Sequence, residues 1–164
     1  VMYANALYQR GFVKEGYKVI HSLYSHCSDY DKSRIYPGIP EYIGENGRGL
    51  YHYLTGAASW LLITVLTEMY GVKGELGSLL LEPKLLLCQF DKDFKANVEC
   101  TFARRRLLIT YHNRVKKEYG DYKIGNVSVD GIQYEFKSSE CIILREDIKK
   151  LAEDQLHEIN IMLE

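Results

Sequence analysis

Tyr51-His52-Tyr53-Leu54-Thr55-Gly56-Ala57-Ala58-Ser59-Trp60 reads as a loop that runs into the start of a helix. Thr55 is a good N-cap, because its hydroxyl can accept a hydrogen bond from a backbone N–H two or three residues on. Gly56, Ala57 and Ala58 are small, so their N–H groups stay open to a ligand. Residues 60–72 are mostly apolar, as a buried helix requires. A helix N-terminus presents unpaired donors and a positive dipole end, which together favour an anion, most often phosphate. The ordinary alternative is a core helix with a threonine cap.

Upstream, residues 2–10 are helical in pattern and Gly11 is placed to stop them. Phe12, Val13, Gly16, Ile20, Leu23 and Cys27 recur at three- and four-residue spacings, which predicts a second amphipathic helix. Gly16, on its apolar side, would let another helix approach closely. Two helices joined this tightly form an αα-hairpin. His21 and His26 have no carboxylate or cysteine partners at ligand spacing, so they read as surface or satisfied core histidines. Residues 28–50 form a long irregular connection holding all but one of the prolines. Its aromatic and apolar content argues for an ordered loop, and ordered loops of this length are usually functional. Within it stand Glu41 and Arg48, either a surface ion pair or a sugar-contacting carboxylate with a basic neighbour.

Downstream, Gly71-Val72-Lys73-Gly74 ends the helix and marks a domain boundary, giving domains of residues 1–74 and 75–164. Residues 79–81, 85–90, 96–102, 107–111, 122–129 and 133–136 are short, apolar or β-branched runs divided by turn signals. Val98, Cys100 and Phe102 alternate with Asn97, Glu99 and Thr101, and Val129-Asp130-Gly131-Ile132 is a hairpin turn. An antiparallel sheet or sandwich is expected, followed by a short helix over 146–157 and a last strand over 158–163. The fold class is therefore α+β. Arg104-Arg105-Arg106 has nothing aromatic interleaved with it, and reads as a solvated turn rather than an anion patch.

A net charge of −1 over 164 residues gives no electrostatic case for nucleic acid or an anionic membrane as partner. The longest apolar run, residues 60–66, is too short to span a bilayer. Cys27, Cys88, Cys100 and Cys141 form neither a zinc pattern nor a disulfide framework. Four reduced, mostly buried thiols in a cytoplasmic protein is the simplest account. Fourteen tyrosines offer flat apolar faces with polar tips, suited to packing and to sugar stacking alike. Val1-Met2-Tyr3-Ala4 reads as the interior of a helix without a start signal, so a fragment of something longer is expected.

Five spaced motifs occur in order. They are Ile35-Tyr36-Pro37-Gly38-Ile39-Pro40-Glu41-Tyr42, Gly47-Arg48-Gly49, Tyr53-Leu54-Thr55-Gly56-Ala57-Ala58-Ser59-Trp60, Gly71-Val72-Lys73-Gly74 and Leu81-Glu82-Pro83-Lys84. The series resembles the C-terminal part of glycoside hydrolase family 94, the inverting phosphorylases of β-linked gluco-oligosaccharides. Within it the closest likeness is to the cellodextrin and 1,2-β-oligoglucan phosphorylases. The resemblance runs from about residue 3 to the C-terminus and is most specific over 34–84. It implies the end of an (α/α)6 barrel followed by a jelly-roll-like β-sandwich. It implies cleavage of a β-glucoside by phosphate to give α-glucose 1-phosphate, with inorganic phosphate as co-substrate and no cofactor or metal.

The Thr-Gly of the family that matches Thr55-Gly56 helps bind that phosphate, and Glu41 falls near a position that holds donor sugar or phosphate. The family's arginine and histidine phosphate ligands and its aspartic general acid are expected upstream of Val1. Arg48 and His52 are substrate-binding candidates by chemistry only. Inverting hydrolysis needs an acid and a base, whereas a phosphorylase needs only the acid, because phosphate is itself a nucleophile. This chain alone is therefore expected to be catalytically inactive. The resemblance also implies homodimers, though no residue here sets that state. Two alternatives stand beside it: the phosphorylase-like end of a cyclic glucan synthase, and a non-catalytic carbohydrate-binding or interaction module.

Overall fold

The computed structural model describes residues 1–35, 38–51, 56–136 and 140–164. The chain divides into two compact units, Val1–Met69 and Tyr70–Glu164. It is mixed helix and sheet, as expected of an α+β chain.

In the first unit, helices α1 (Met2–Gln9) and α2 (Val13–Ser28) form the expected hairpin, with Gly11 in the left-handed region between them at φ +80°. Gly16 is where they meet: a Cβ there would lie 2.6 Å from the Tyr8 ring, so only glycine admits that fully buried side chain. Ala4, Tyr8, Val13, Ile20 and Cys27 make the small core. The segment expected to be irregular holds a one-turn helix, α3 (Tyr30–Ser33), and a short hairpin of β1 (Tyr42–Ile43) and β2 (Gly49–Leu50). Buried Ser33 donates to the Cys27 carbonyl at 3.1 Å and stitches α3 to α2. His26 Nε2 lies 2.7 Å from the Gly47 carbonyl, so this histidine ties α2 to the hairpin turn.

The third long helix departs from expectation. It runs as α4 (Gly56–Ile63), then widens into a π-helical segment over Thr64–Met69, and ends there rather than at residue 72. The hydroxyls of Thr64 and Thr67 donate to the carbonyls of Trp60 and Ile63, at 2.7 and 2.8 Å. Such back-bonding loosens and bends a helix, and it occurs here where the turn widens. Asn5 Nδ2 donates to Thr64 Oγ at 3.1 Å, holding the widened turn to α1. A second correction concerns burial: no residue of α4 is buried, and Trp60, Leu62 and Ile63 are exposed.

In the second unit, β3 (Val72–Glu75), β4 (Ser78–Leu81) and β9 (Cys141–Ile143) form an antiparallel sheet in the order β3-β4-β9. Neither β3 nor β9 was legible in the sequence. Gly71, at φ +66°, turns the chain into β3, and a Cβ there would strike the Glu82 carbonyl. The larger sheet joins β5 (Lys95–Phe102), β6 (Arg105–His112), β7 (Ile124–Val129), β8 (Ile132–Tyr134) and β10 (Leu156–Leu163) in the order β5-β6-β10-β7-β8. Its pairs are antiparallel, as expected, except β6 with β10, which run parallel. Ile159 and Ile161 of β10 are fully buried, with Leu107, Ile109 and Tyr111 of β6 beside them. The expected strand over 85–90 is instead extended chain with a 3-10 turn at Leu87–Gln89. The expected helix over 146–157 stops early, as α5 (Arg145–Lys150), and β10 begins at Leu156.

Three two-residue hairpin loops shape this unit: Leu76-Gly77, Ala103-Arg104 and Asp130-Gly131, each with both residues at positive φ. That backbone matches the twist of the flanking strands. Of Arg104-Arg105-Arg106, expected to be a solvated turn, only Arg104 lies in the turn; Arg105 and Arg106 open β6, and Arg105 is not left in solvent. Its guanidinium donates to the carbonyls of Leu151 and Lys149, at 3.1 and 3.0 Å, and so caps the C-terminal end of α5.

Candidate functional site

The hairpin β1–β2 positions Glu41. Its backbone N–H faces the carbonyls of Leu50 and Tyr51 at 3.2 and 3.1 Å, which fixes the residue at the open end of the hairpin. From there Glu41 Oε2 lies 3.4 Å from the backbone nitrogen of Ala57, the second residue of α4. That distance is long for a hydrogen bond, so the contact is chiefly a carboxylate against the positive end of a helix. Two stretches singled out separately, the Glu41 loop and the Gly56-Ala57 helix start, thus come together.

Gly56 is the first residue of α4 and exposed, with open space where a Cβ would stand. Thr55 and His52 lie outside the described residues. Arg48 is exposed; its N–H donates to Asn46 Oδ1 at 3.1 Å and its carbonyl accepts from Gly44 at 2.9 Å. Among the described residues, no ion pair joins Arg48 to Glu41, so the simple surface pair does not form. Arg48 shapes the hairpin turn through its backbone and leaves its guanidinium in solvent.

The same hairpin carries two aromatic rings that reading by residue did not single out. Tyr42 and Tyr51 meet edge to face with centroids 5.9 Å apart, and they are 61% and 64% exposed. Tyr51 sits at φ +53° directly after β2, which carries its ring beside that of Tyr42. Two exposed aromatic rings on the hairpin that carries Glu41 offer apolar faces with polar tips, which suit a hydroxylated, partly apolar ligand. Among the described residues, no group of three or more His, Cys, Asp or Glu side chains is placed to hold a metal ion. No helix among them is long and apolar enough to cross a membrane. Comparison with protein-family models and with curated proteins finds no match to this chain.

Proposed function

We propose that the first unit holds phosphate and a β-linked gluco-oligosaccharide at the start of α4, as part of an inverting phosphorylase of the glycoside hydrolase family 94 kind. In this reading the helices belong to an (α/α)6 barrel, the β unit is the jelly-roll-like domain, and the reaction releases α-glucose 1-phosphate. The observation that carries it is the meeting of Glu41 with the Ala57 N–H, sixteen residues apart in sequence. This sets the proposed sugar-side carboxylate beside the proposed phosphate cradle, with Tyr42 and Tyr51 offering faces to a pyranose. The division of labour follows from charge. Backbone N–H groups and a helix dipole favour the phosphate, while Glu41 accepts from sugar hydroxyls and keeps the anion from binding too deeply. No residue here matches the family's aspartic general acid, so these 164 residues bind and do not turn over.

The test is an amide NMR titration of the chain with inorganic phosphate against chloride at matched ionic strength, then with cellobiose. Phosphate-specific shifts at Gly56, Ala57 and Ala58, and sugar-dependent shifts at Glu41, Tyr42 and Tyr51, are expected. Shifts with sugar alone would move the reading to a non-catalytic carbohydrate-binding module. No response to either would end both.

A further inference from the structure

His157 is 1% exposed at the start of β10, and both of its ring nitrogens face acceptors. Nδ1 lies 2.7 Å from Asp130 Oδ2, and Nε2 lies 2.9 Å from the Ala152 carbonyl. A neutral imidazole has one donor and one acceptor nitrogen, whereas the imidazolium has two donors. Two acceptors around one ring therefore call for the charged form. Asp130 is placed for this by the β7–β8 turn, where its other oxygen accepts from the Glu158 N–H at 2.9 Å. Ala152 lies in the connection that leads from α5 into β10. His157 thus ties two separate elements, the hairpin turn and the end of the α5 segment, to the central strand.

The hairpin and the end of α5 also border a cleft of about 340 Å³, whose lining includes Asp130, Ile132, Tyr134, Asp147, Lys150 and Leu151. We propose that His157 is a protonation-dependent clasp that holds the walls of this cleft in register. When His157 loses its proton, one nitrogen turns a lone pair toward an acceptor, and either the Asp130 or the Ala152 bond is lost. One side-chain tie to β10 is then lost, and either the hairpin turn, still held by the Glu158 N–H on Asp130 Oδ1, or the 151–156 connection opens more readily.

The charges around the ring agree with this assignment. Burial disfavours the imidazolium, but hydrogen bonds to Asp130 and Ala152 and the charge of Asp130 outweigh it and raise the His157 pKa. From β6, Arg105 opposes the charge, and its guanidinium is itself paired with Glu153 at 3.4 Å. Lys149 and Lys150 of α5 pair with Glu146 and Asp147. Glu158 follows on β10, where alternation sends its side chain to the opposite face. The direction of the pH effect follows. A raised folded pKa means the clasp is fully closed below the ordinary histidine value of about 6.5, and opens as pH rises through the folded value.

The experiment is NMR titration of the His157 ring in the full chain, with amide-exchange protection factors followed over the same pH range. Expected are a titration midpoint above the ordinary histidine value, and at least tenfold loss of protection at Asp130–Gly131 and over 151–158 across that midpoint. Protection of Ile109 and Ile161 should stay unchanged. Asp130→Asn, which keeps an acceptor for the Glu158 N–H, is expected to lower the His157 midpoint and move the protection change with it. A midpoint at or below the ordinary value would overturn the proposal. So would protection that ignores the His157 titration. Both readouts use the unmodified chain, so a variant that fails to fold leaves the decision intact.

Discussion

Glu41 Oε2 and the backbone nitrogen of Ala57 lie 3.4 Å apart, so a carboxylate of the chain occupies the approach to the N-terminus of α4. An anion arriving there meets attraction from the helix and repulsion from Glu41. At about 4 Å in a solvent-like dielectric that repulsion is on the order of 1 kcal/mol. Glu41→Gln, which keeps the shape and loses the charge, is therefore expected to tighten inorganic phosphate roughly fivefold and to weaken cellobiose, as read from titration midpoints. Unchanged phosphate affinity would mean the anion does not bind at this helix.

Tyr122 supplies a second test, of architecture. Its buried hydroxyl accepts from the Leu85 N–H at 2.8 Å and lies within 3.1 Å of the Pro83 carbonyl. The chain over 83–86 has left β4 and not yet entered its 3-10 turn, so no strand partner serves the Leu85 N–H. Tyr122→Phe strands that buried donor and is expected to cost about 1–3 kcal/mol, seen as a lower denaturant midpoint at unchanged slope. A midpoint shift of a few tenths of a kcal/mol would show that water takes over the donor.

Leu76 stands at φ +49° in the β3–β4 loop and is 96% exposed. A branched side chain in the left-handed region carries strain of about 1 kcal/mol, and this one gains nothing by packing. Leu76→Asn suits the loop, since asparagine followed by glycine is the favoured pair for a two-residue hairpin. The thermal midpoint is expected to rise by a few degrees. A fall would mean that the exposed leucine has a partner in solution.

The four cysteines separate by environment. Cys88 is exposed, which corrects the expectation of mostly buried thiols, while Cys27 and Cys141 are buried. Burial raises the Cys27 thiol and pushes Cys141 up to about 12, and the thiolate is the reactive form. With a maleimide near neutral pH, Cys88 should label first, half-buried Cys100 slowly, and Cys27 and Cys141 only in denaturant. Mass spectrometry of the labelled peptides checks the order. Early labelling of Cys141 would contradict the packing of β9.

The sequence was most legible where one face of an element is buried and the other is not. Ala96, Val98, Cys100 and Phe102 alternate with Asn97, Glu99 and Thr101 because β5 has a covered and an open side, and a period of two survives in the letters. Asp130-Gly131 announced its turn for a local reason, since both residues tolerate positive φ. Leu76-Gly77 and Ala103-Arg104 adopt the same backbone with residues that give no such sign. The end of α5 was misread because Ile148, Leu151, Ala152 and Gln155 keep a helical spacing past the point where the helix stops. At Leu151 the backbone turns extended, at φ −70° and ψ 140°, and Arg105 caps the end from β6. Such partners lie tens of residues away, as Asp130 does from His157, and no local pattern carries them. At the candidate site the members were legible one by one, whereas the approach of Glu41 to Ala57 depends on a hairpin that proline and glycine content had disguised as irregular loop.

The exposed face of α4 leads to a last expectation. Trp60, Leu62 and Ile63 are 38%, 71% and 48% exposed on a helix with no buried residue, so its apolar side chains have more surface in water than its own unit covers. Contiguous apolar surface of this kind drives association. Sedimentation velocity on the chain should therefore find mass that rises with concentration. The double substitution Leu62→Lys with Ile63→Lys places two charges on that face without touching a core contact, and is expected to shift the population toward monomer at unchanged thermal stability. A wild-type chain that stays monomeric at every concentration would show that α4 is covered from within the same molecule. Loss of folding in the double variant would show the same, because only a buried leucine and isoleucine resist lysine so strongly.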